Sequence, residues 1–317
     1  VNKIISYESD PFIGEGDQVG WQKRAALFAG DNRSGLSCID LCRWAKELMI
    51  RNDYEEFFEN YWTPQNQRPN GADWIRQVFD SGISFYLYRG WTNMNGFAEE
   101  MVDDLANGRM LPFAILPTCN TGDFGEHLFS QSCYAERFMF NPNGGGIGAV
   151  GLAGASHTAY NNLLGAAVFR SILGSKNPYQ GWATMAGKVE LYQHYFDRGD
   201  IEHAENRGIE SWLCALYIFN LIGDPATDLY TDIPLALTIE HPEILRIGES
   251  HFEVVVLDEE NGEPFEGARV CLYKPEEFQI TQYTDEDGFA MFDLDPELVM
   301  DGTVELTVSG HNLMPYL

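Results

Sequence analysis

Short apolar runs that each stop at a polar or glycine-containing loop constrain the fold of this chain more than any other feature. They are Lys23 to Gly30, Ile83 to Tyr88, Leu111 to Pro117 and Gly146 to Gly154. Stretches with helical spacing of apolar residues separate them, beginning with Leu36 to Arg51. Apolar runs of this length are typical of strands buried on both faces. The alternation predicts an α/β domain with a mostly parallel sheet covered by helices on both sides.

The third apolar run delivers a cysteine to the end of its strand. LPFAILP is followed by Thr118, Cys119, Asn120, Thr121 and Gly122. Ligands of open α/β sheets bind beyond the carboxyl ends of the strands, so Cys119 is predicted to lie at that rim. Two interpretations stay open from this segment alone, a reactive thiol and a semi-buried structural thiol.

The charge of the chain excludes some partners. The formal net charge is −28, which argues against nucleic acid or an anionic membrane surface as partner. Residues 234–317 carry 19 Asp/Glu and 3 Lys/Arg, a net charge of −16, and residues 1–233 carry the other −12. No apolar run approaches the roughly 20 residues of a membrane-spanning helix, so no transmembrane segment is predicted. The sequence does not indicate an oligomeric state.

A second domain is predicted where the pattern changes. From Pro234 onward, short stretches of alternating polarity are separated by turns such as Asn261-Gly262, Asp287-Gly288 and Asp301-Gly302. This pattern is typical of an antiparallel, immunoglobulin-like β-sandwich. The predicted domains are residues 1–233 and 234–317.

A cysteine nucleophile needs a base and donors for an oxyanion. The backbone amides of Asn120, Thr121 and Gly122 are the predicted donors. The predicted base is His157, at the end of the next strand, and His127 is a second candidate. No Cys-x-x-Cys pair occurs among the six cysteines, so no zinc ribbon or thioredoxin motif is present.

Several motifs resemble the gingipain family of cysteine peptidases. In the order found in that family they include ALFAGDNRSG, TCNTGDF, CYAERFM, GIGAVGLAGASHTAY and GDPATDLY. The resemblance implies a caspase-like α/β/α domain followed by an immunoglobulin-like domain, and cysteine endopeptidase activity on a peptide or protein. It also implies an extracellular or cell-surface location, no required cofactor, and room for structural calcium. We expect an upstream subdomain of the family to be missing, because residues 1–11 resemble its last helix and exit loop.

Carried over residue by residue, the resemblance makes Cys119 the nucleophile. The ungapped match of Tyr88-Arg89-Gly90-Trp91 places Trp91 where the family has its catalytic histidine. Indole has no basic nitrogen and cannot take a thiol proton. Arg89, the alternative after a shift of two residues, is always protonated and acts only electrostatically. Asp31 falls near the acidic partner of the missing histidine.

The substrate pocket of the family also differs here. The aspartate that gives arginine-specific gingipains their preference matches Cys38, with Asp40 nearby, so basic specificity is not expected. His157 and Tyr160 fall on the loop that forms a wall of this pocket. Two hypotheses remain open: a cysteine endopeptidase acting through Cys119 and His157, and an inactive pseudopeptidase that serves as a surface or secreted binding module.

Overall fold

The computed structural model describes residues 1–125, 132–196, 211–295 and 301–317. The chain divides into two compact units, one made of residues 1–4 and 12–232 and the other of residues 5–11 and 233–317. The sequence analysis places the boundary one residue later, after residue 233, and assigns residues 5–11 to the first domain.

Strands and helices alternate along residues 2–222. The helices are α1 (Asn2–Ser9), α2 (Leu36–Ile50), α3 (Ala72–Asp80), α4 (Tyr134–Phe140), α5 (Thr158–Phe169), α6 (Gln180–Phe196) and α7 (Trp212–Ile218). The strands are β1 (Arg24–Ala29), β2 (Glu56–Tyr61), β3 (Phe85–Arg89), β4 (Phe113–Leu116), β5 (Gly148–Leu152) and β6 (Phe219–Ile222). Short 3-10 turns include Asn32–Ser34 and Glu99–Asp104.

The six strands form one sheet in the order β2-β1-β3-β4-β5-β6. Strands β1 to β5 are parallel, and β6 pairs antiparallel with β5. Every residue of β3, β4 and β5 is buried, because helices cover both faces. The predicted α/β/α architecture with a mostly parallel sheet is confirmed.

Aromatic side chains fill the layers on the two faces of this sheet. On one face, Phe79 of α3 and Phe138 of α4 stack with ring centroids 5.5 Å apart, and both contact Tyr86. On the other face, Phe85 of β3 packs against Phe169 of α5 at 5.7 Å. Each such ring contributes about 1.5–3 kcal/mol by burial, so this packing fixes β3 and β4 and the loops that follow them.

The second unit contains two three-stranded antiparallel sheets. Its strands are β7 (Leu237–Glu240), β8 (His251–Asp258), β9 (Arg269–Lys274), β10 (Phe278–Tyr283), β11 (Phe289–Asp293) and β12 (Glu305–Ser309). The sheet orders are β10-β9-β12 and β11-β8-β7. Side chains alternate between exposed and buried along β8 and β11, and the buried ones, such as Val254 and Phe292, form one core. The predicted β-sandwich is confirmed.

Candidate active site

The loops after β3, β4 and β5 meet at the carboxyl edge of the sheet, as expected for parallel strands. Thr92 Oγ1, after β3, donates to the carbonyl oxygen of Cys119 at 3.2 Å. Asn120 N–H, after β4, donates to the carbonyl oxygen of Gly154 at 3.3 Å. These two hydrogen bonds join the three loops, so the structure brings together the segments that carry Trp91, Cys119 and His157.

The thiol of Cys119 is partly exposed and lies against the loop after β5. Its Sγ is 3.3 Å from the backbone nitrogen of Ser156, which donates to it, and 3.5 Å from the carbonyl oxygen of the same residue. Asn120, which follows, adopts a left-handed conformation with φ of 58°. The chain therefore turns sharply after β4 and presents the thiol at the rim of the sheet.

The backbone amides predicted as oxyanion donors are already engaged. Asn120 N–H donates to Gly154, Thr121 N–H to Thr118 and Gly122 N–H to Leu152, in each case to a backbone carbonyl. The physical reason is that the turn folds back onto β5 and satisfies its own donors there. In this conformation the three amides do not serve as free donors. The N–H of Cys119 itself donates to no acceptor among the described residues.

A close contact between two glycines holds the turn in this place. A Cβ atom on Gly122 would lie 2.7 Å from the carbonyl carbon of Gly151 in β5. A Cβ atom on Gly151 would lie 2.7 Å from Thr121 Oγ1. Only glycine at both positions lets the Cys119 turn approach β5 this closely.

A group of contacts joins Trp91, in the loop after β3, to Arg33 and Asp31, in the loop after β1. Trp91 is half exposed, and the guanidinium carbon of Arg33 lies 5.3 Å from the centre of its ring. Arg33 Nε and Nη2 donate to the two carboxylate oxygens of Asp31 at 3.0 and 2.8 Å. The hydrogen bond from Arg33 is the main reason why the pKa of buried Asp31 is lowered. Asp31 is therefore committed to a cation.

Arg33 is a residue that the sequence analysis missed. Its position two residues after Asp31, in a polar turn, is compatible with this ion pair. Nothing in the sequence shows that the guanidinium also stacks on an indole from a different loop.

His157 caps a helix instead of facing the thiol with a free nitrogen. It is exposed and precedes α5, and its Nδ1 accepts the N–H of Ala159 at 3.2 Å. The lone pair of Nδ1 is used in this bond, so the neutral ring carries its proton on Nε2. In that tautomer neither nitrogen is free to accept a proton from Cys119. His127, the second predicted base, lies outside the described residues.

The residues predicted to line the substrate pocket differ in burial. Cys38 is fully buried in α2, and burial raises the pKa of its thiol. Its Sγ donates to the carbonyl oxygen of Ser34 at 3.3 Å, whereas Asp40 is exposed on the same helix. Tyr160 is buried, and its ring lies 5.5 Å from that of His157.

Arg89 reaches into the same region from the end of β3. It is almost fully buried, and its guanidinium contacts Asn162 of α5 and the chain just before Cys119. Asn162 was not predicted, and the first turns of α5, which read TAYNN, contain no signal that separates it from its polar neighbours.

No group of three or more His, Cys, Asp and Glu side chains is placed to hold a metal ion in the described ranges. Nor does any helix in the same ranges combine the length and hydrophobicity needed to cross a bilayer.

Similar solved structures support the fold. The crystal structure of the Arg-specific cysteine proteinase gingipain R (RgpB) matches with a TM-score of 0.78 and 22% identity, covering 99% of this chain and 69% of that one. The complex of Porphyromonas gingivalis RgpB pro- and mature domains matches with a TM-score of 0.77 and 21% identity, covering 99% and 71%. A structure known simply as a protease has a TM-score of 0.76 at 14% identity, covering 99% and 69%.

A mostly parallel sheet between helices, with a cysteine after its central strand, followed in the chain by a β-sandwich, defines a gingipain-like protein with a caspase-like fold. The sequence profile of peptidase family C25 matches residues 1–230. The chain therefore belongs to peptidase family C25, the gingipain family, which confirms the resemblance predicted from the motifs. No curated protein sequence matches the chain significantly.

Proposed function

We propose that this chain is a peptide- or protein-binding member of family C25 in which the hydrolytic centre has been lost. The motif match that puts Trp91 at the position of the family histidine motivates the proposal, and one observation carries it: the neighbouring acid, Asp31, is paired with Arg33, which also lies over the Trp91 ring. A Cys-His peptidase needs an imidazole that takes the thiol proton and later protonates the leaving amine. Neither the indole nor the guanidinium can accept the thiol proton at neutral pH.

The rest of the site supports the same proposal. His157 uses Nδ1 to cap α5, and the amides of residues 120–122 donate within the fold. Loss of the base from a nucleophile–base pair lowers the rate by several orders of magnitude, about six for the histidine of a serine protease triad. Peptide binding needs neither a base nor oxyanion donors. It needs the loops that form the site, and these are held together by hydrogen bonds.

A second candidate is cysteine endopeptidase activity through the Cys119 thiolate, with His157 as the base. The observation that favours it is the thiol itself, which is partly exposed and receives the N–H of Ser156. In this case the His157 ring has to release its bond to Ala159 and change tautomer before it accepts the thiol proton.

The experiment compares the wild type with Cys119→Ala, Trp91→His and Trp91→Phe on a mixed peptide library, with products read by mass spectrometry. We expect no cleavage that depends on Cys119 in the wild type or in Trp91→Phe. Cleavage by the wild type that disappears in Cys119→Ala would overturn the proposal and favour the second candidate. Trp91→His tests whether an imidazole alone restores hydrolysis while Asp31 stays bound to Arg33.

We also propose an extracellular or cell-surface location, from membership of the gingipain family. The acidic sandwich then acts as a spacer or solubilising partner of the first domain. Structural calcium remains a proposal; a rise in the unfolding temperature with calcium over magnesium, abolished by a chelator, is the measurement that tests it.

A further inference from the structure

The side chain of Arg89 is a buried cation without a carboxylate partner in the described part of the chain. The residue is 2% exposed. Its Nε donates to Asn162 Oδ1 at 2.7 Å, and its Nη1 donates to the Pro117 carbonyl oxygen at 2.7 Å and to Thr118 Oγ1 at 3.3 Å. All of these acceptors are neutral. A buried charge without a counter-ion is unfavourable, so an anion beside this guanidinium would be strongly stabilised.

The guanidinium lies between the nucleophile position and the family pocket. Thr118, one of its acceptors, directly precedes Cys119. Asn162, another acceptor, donates from Nδ2 to the carbonyl oxygen of Ser37 at 3.2 Å, next to Cys38. Arg89 also opposes the burial-driven rise in the pKa of Cys38, so its charge is felt at the pocket position. On one side the guanidinium is thus hydrogen-bonded to Thr118, the residue before Cys119. On the other side it is linked through Asn162 to the start of α2.

One nitrogen of the group is left for a ligand. Nη2 donates to no acceptor among the residues that the structure describes, although the other two nitrogens do. The aspartate that selects arginine in related peptidases is replaced by uncharged Cys38, and a cation lies beside that position. The charge of the pocket is therefore reversed.

We propose that Arg89 binds a carboxylate of a peptide ligand beside Cys119, either an acidic side chain or a chain-terminal carboxylate. Guanidinium matches the planar carboxylate through charge-assisted hydrogen bonds, which are about twice as strong as neutral ones. The peptide nature of the ligand rests on the proposed function, whereas the carboxylate preference rests on Arg89 alone.

The first test needs no peptide. Iodoacetate and iodoacetamide differ mainly in the charge of one small group, and each reacts with the Cys119 thiolate by forming an S–C bond and releasing iodide. We expect the rate ratio of iodoacetate to iodoacetamide at Cys119 to exceed the ratios at the partly exposed Cys214 and Cys271 by about fivefold or more. These two cysteines correct for the acidic charge of the whole chain.

Matched variants assign the preference to Arg89. Arg89→Gln removes the charge, and Asn162→Asp places a carboxylate against the guanidinium without removing it, so the excess is expected to disappear in both. Arg24→Gln is the control, because Arg24 is a partly buried arginine at the opposite end of the sheet, paired with Glu56. If Arg89→Gln does not fold, as judged by circular dichroism, Asn162→Asp decides alone. The proposal would be overturned by any of three results. The iodoacetate-to-iodoacetamide rate ratio could be equal at all three cysteines, the excess at Cys119 could survive both variants, or neither reagent could modify Cys119.

The second test separates the two sources of carboxylate. Binding of labelled short peptides to the Cys119→Ala variant is measured by fluorescence anisotropy. Three peptides have an amidated end and carry Asp, Asn or Arg at the central position, and a fourth, neutral peptide has a free carboxylate end. We expect the Asp peptide or the free-end peptide to bind about tenfold more tightly than the Asn peptide. Equal affinities would overturn the carboxylate preference and leave peptide binding intact. If no peptide binds, the proposed function fails, and the alkylation ratio decides the carboxylate proposal independently.

Discussion

At the scale of single residues, Asp31, Arg33 and Trp91 form one group of contacts. Asp31 binds Arg33, and Arg33 lies over the face of the Trp91 indole. The charges of Asp31 and Arg33 thus neutralise each other, whereas the buried guanidinium of Arg89 has no carboxylate partner among the described residues.

Arg33→Ala tests how firmly this group is held. It keeps the backbone N–H of residue 33, which donates to Asp31 Oδ1 at 2.8 Å, but removes both guanidinium bonds and leaves Arg68, whose Nε is 3.9 Å away, as the nearest cation. We therefore expect the unfolding free energy to fall at neutral pH. Chemical denaturation of both proteins across a pH series is the measurement. Arg43→Ala, an exposed arginine on α2, is the control and should change little.

The pH dependence of this difference has a defined sign. The folded-state pKa of Asp31 is lowered, so pairing with Arg33 stabilises the fold above the unfolded-state pKa of about 3.9 and this stabilisation is lost as pH falls through the lower folded-state value. We expect the two stability curves to converge in acid. A difference that stays constant down to the lowest accessible pH would show that Arg33 acts through packing on Trp91 instead.

At the scale of elements, the sequence predicts the central strands well and the edges poorly. The runs around Phe85, Phe113 and Gly148 are apolar on both faces, and all three are central strands. Strand β2, EFFENY, is half exposed and was not predicted, because an edge strand needs no continuous apolar run. Strand β6 continues directly from α7, so its apolar residues resemble the end of that helix.

The candidate site follows the same division. The rim position of Cys119 could be predicted, because it depends on one strand and the turn after it. The bonds of the Asn120 and Gly122 amides and the Arg33–Trp91 contact could not, since each joins segments far apart in sequence. The cap formed by His157 is local, but histidine is not among the preferred N-cap residues, so the sequence did not indicate it.

His157→Ala and His157→Asp separate a helix cap from a base. Ala removes the acceptor of the Ala159 N–H and should lower the unfolding free energy by about 0.5–1 kcal/mol, whereas Asp keeps an acceptor and should restore it. Thermal unfolding is the measurement, and iodoacetamide labelling of Cys119 is expected to be similar in both. Slow labelling in both variants without a loss of stability would favour the role of a base.

Gly122→Ala tests the contact that seats the Cys119 turn. The added methyl group would meet the β5 backbone at 2.7 Å, so we expect destabilisation by about 1–3 kcal/mol. Gly151→Ala should have a similar effect. The double variant should lose less stability than the sum of the two, because a turn that has moved away from β5 to accept one methyl group accepts the second at lower cost. Gly174→Ala, at a position with a nearest contact of 3.4 Å, is the control. Additive losses in the double variant would contradict the shared contact.

At the scale of the whole molecule, the acidic charge is concentrated in the second unit. Residues 234–317 carry 19 acidic and 3 basic side chains, a net charge of −16. Such a concentration destabilises a compact state by self-repulsion and is screened over about 10 Å at 0.1 M salt. The two units should therefore respond differently to ionic strength.

Hydrogen exchange read by mass spectrometry tests this difference. When sodium chloride is raised from about 0.02 to about 0.3 M, we expect protection of β8 and β9 amides to increase more than that of β3 and β4 amides. The control is the same hydrogen-exchange measurement on Arg24→Gln at both sodium chloride concentrations, which shows any general effect of salt on the first unit. Equal increases in the two pairs of strands would contradict the prediction.

The Trp91 indole also allows the site to be followed by intrinsic fluorescence. All seven tryptophans lie within residues 1–233, and Trp91 is half exposed beside the Cys119 loop with a positive charge over its ring. Indole emission responds to nearby charge and to water. A peptide that covers Trp91 or moves Arg33 therefore changes the ultraviolet fluorescence of the unlabelled protein, and comparison with Trp91→Phe isolates that signal.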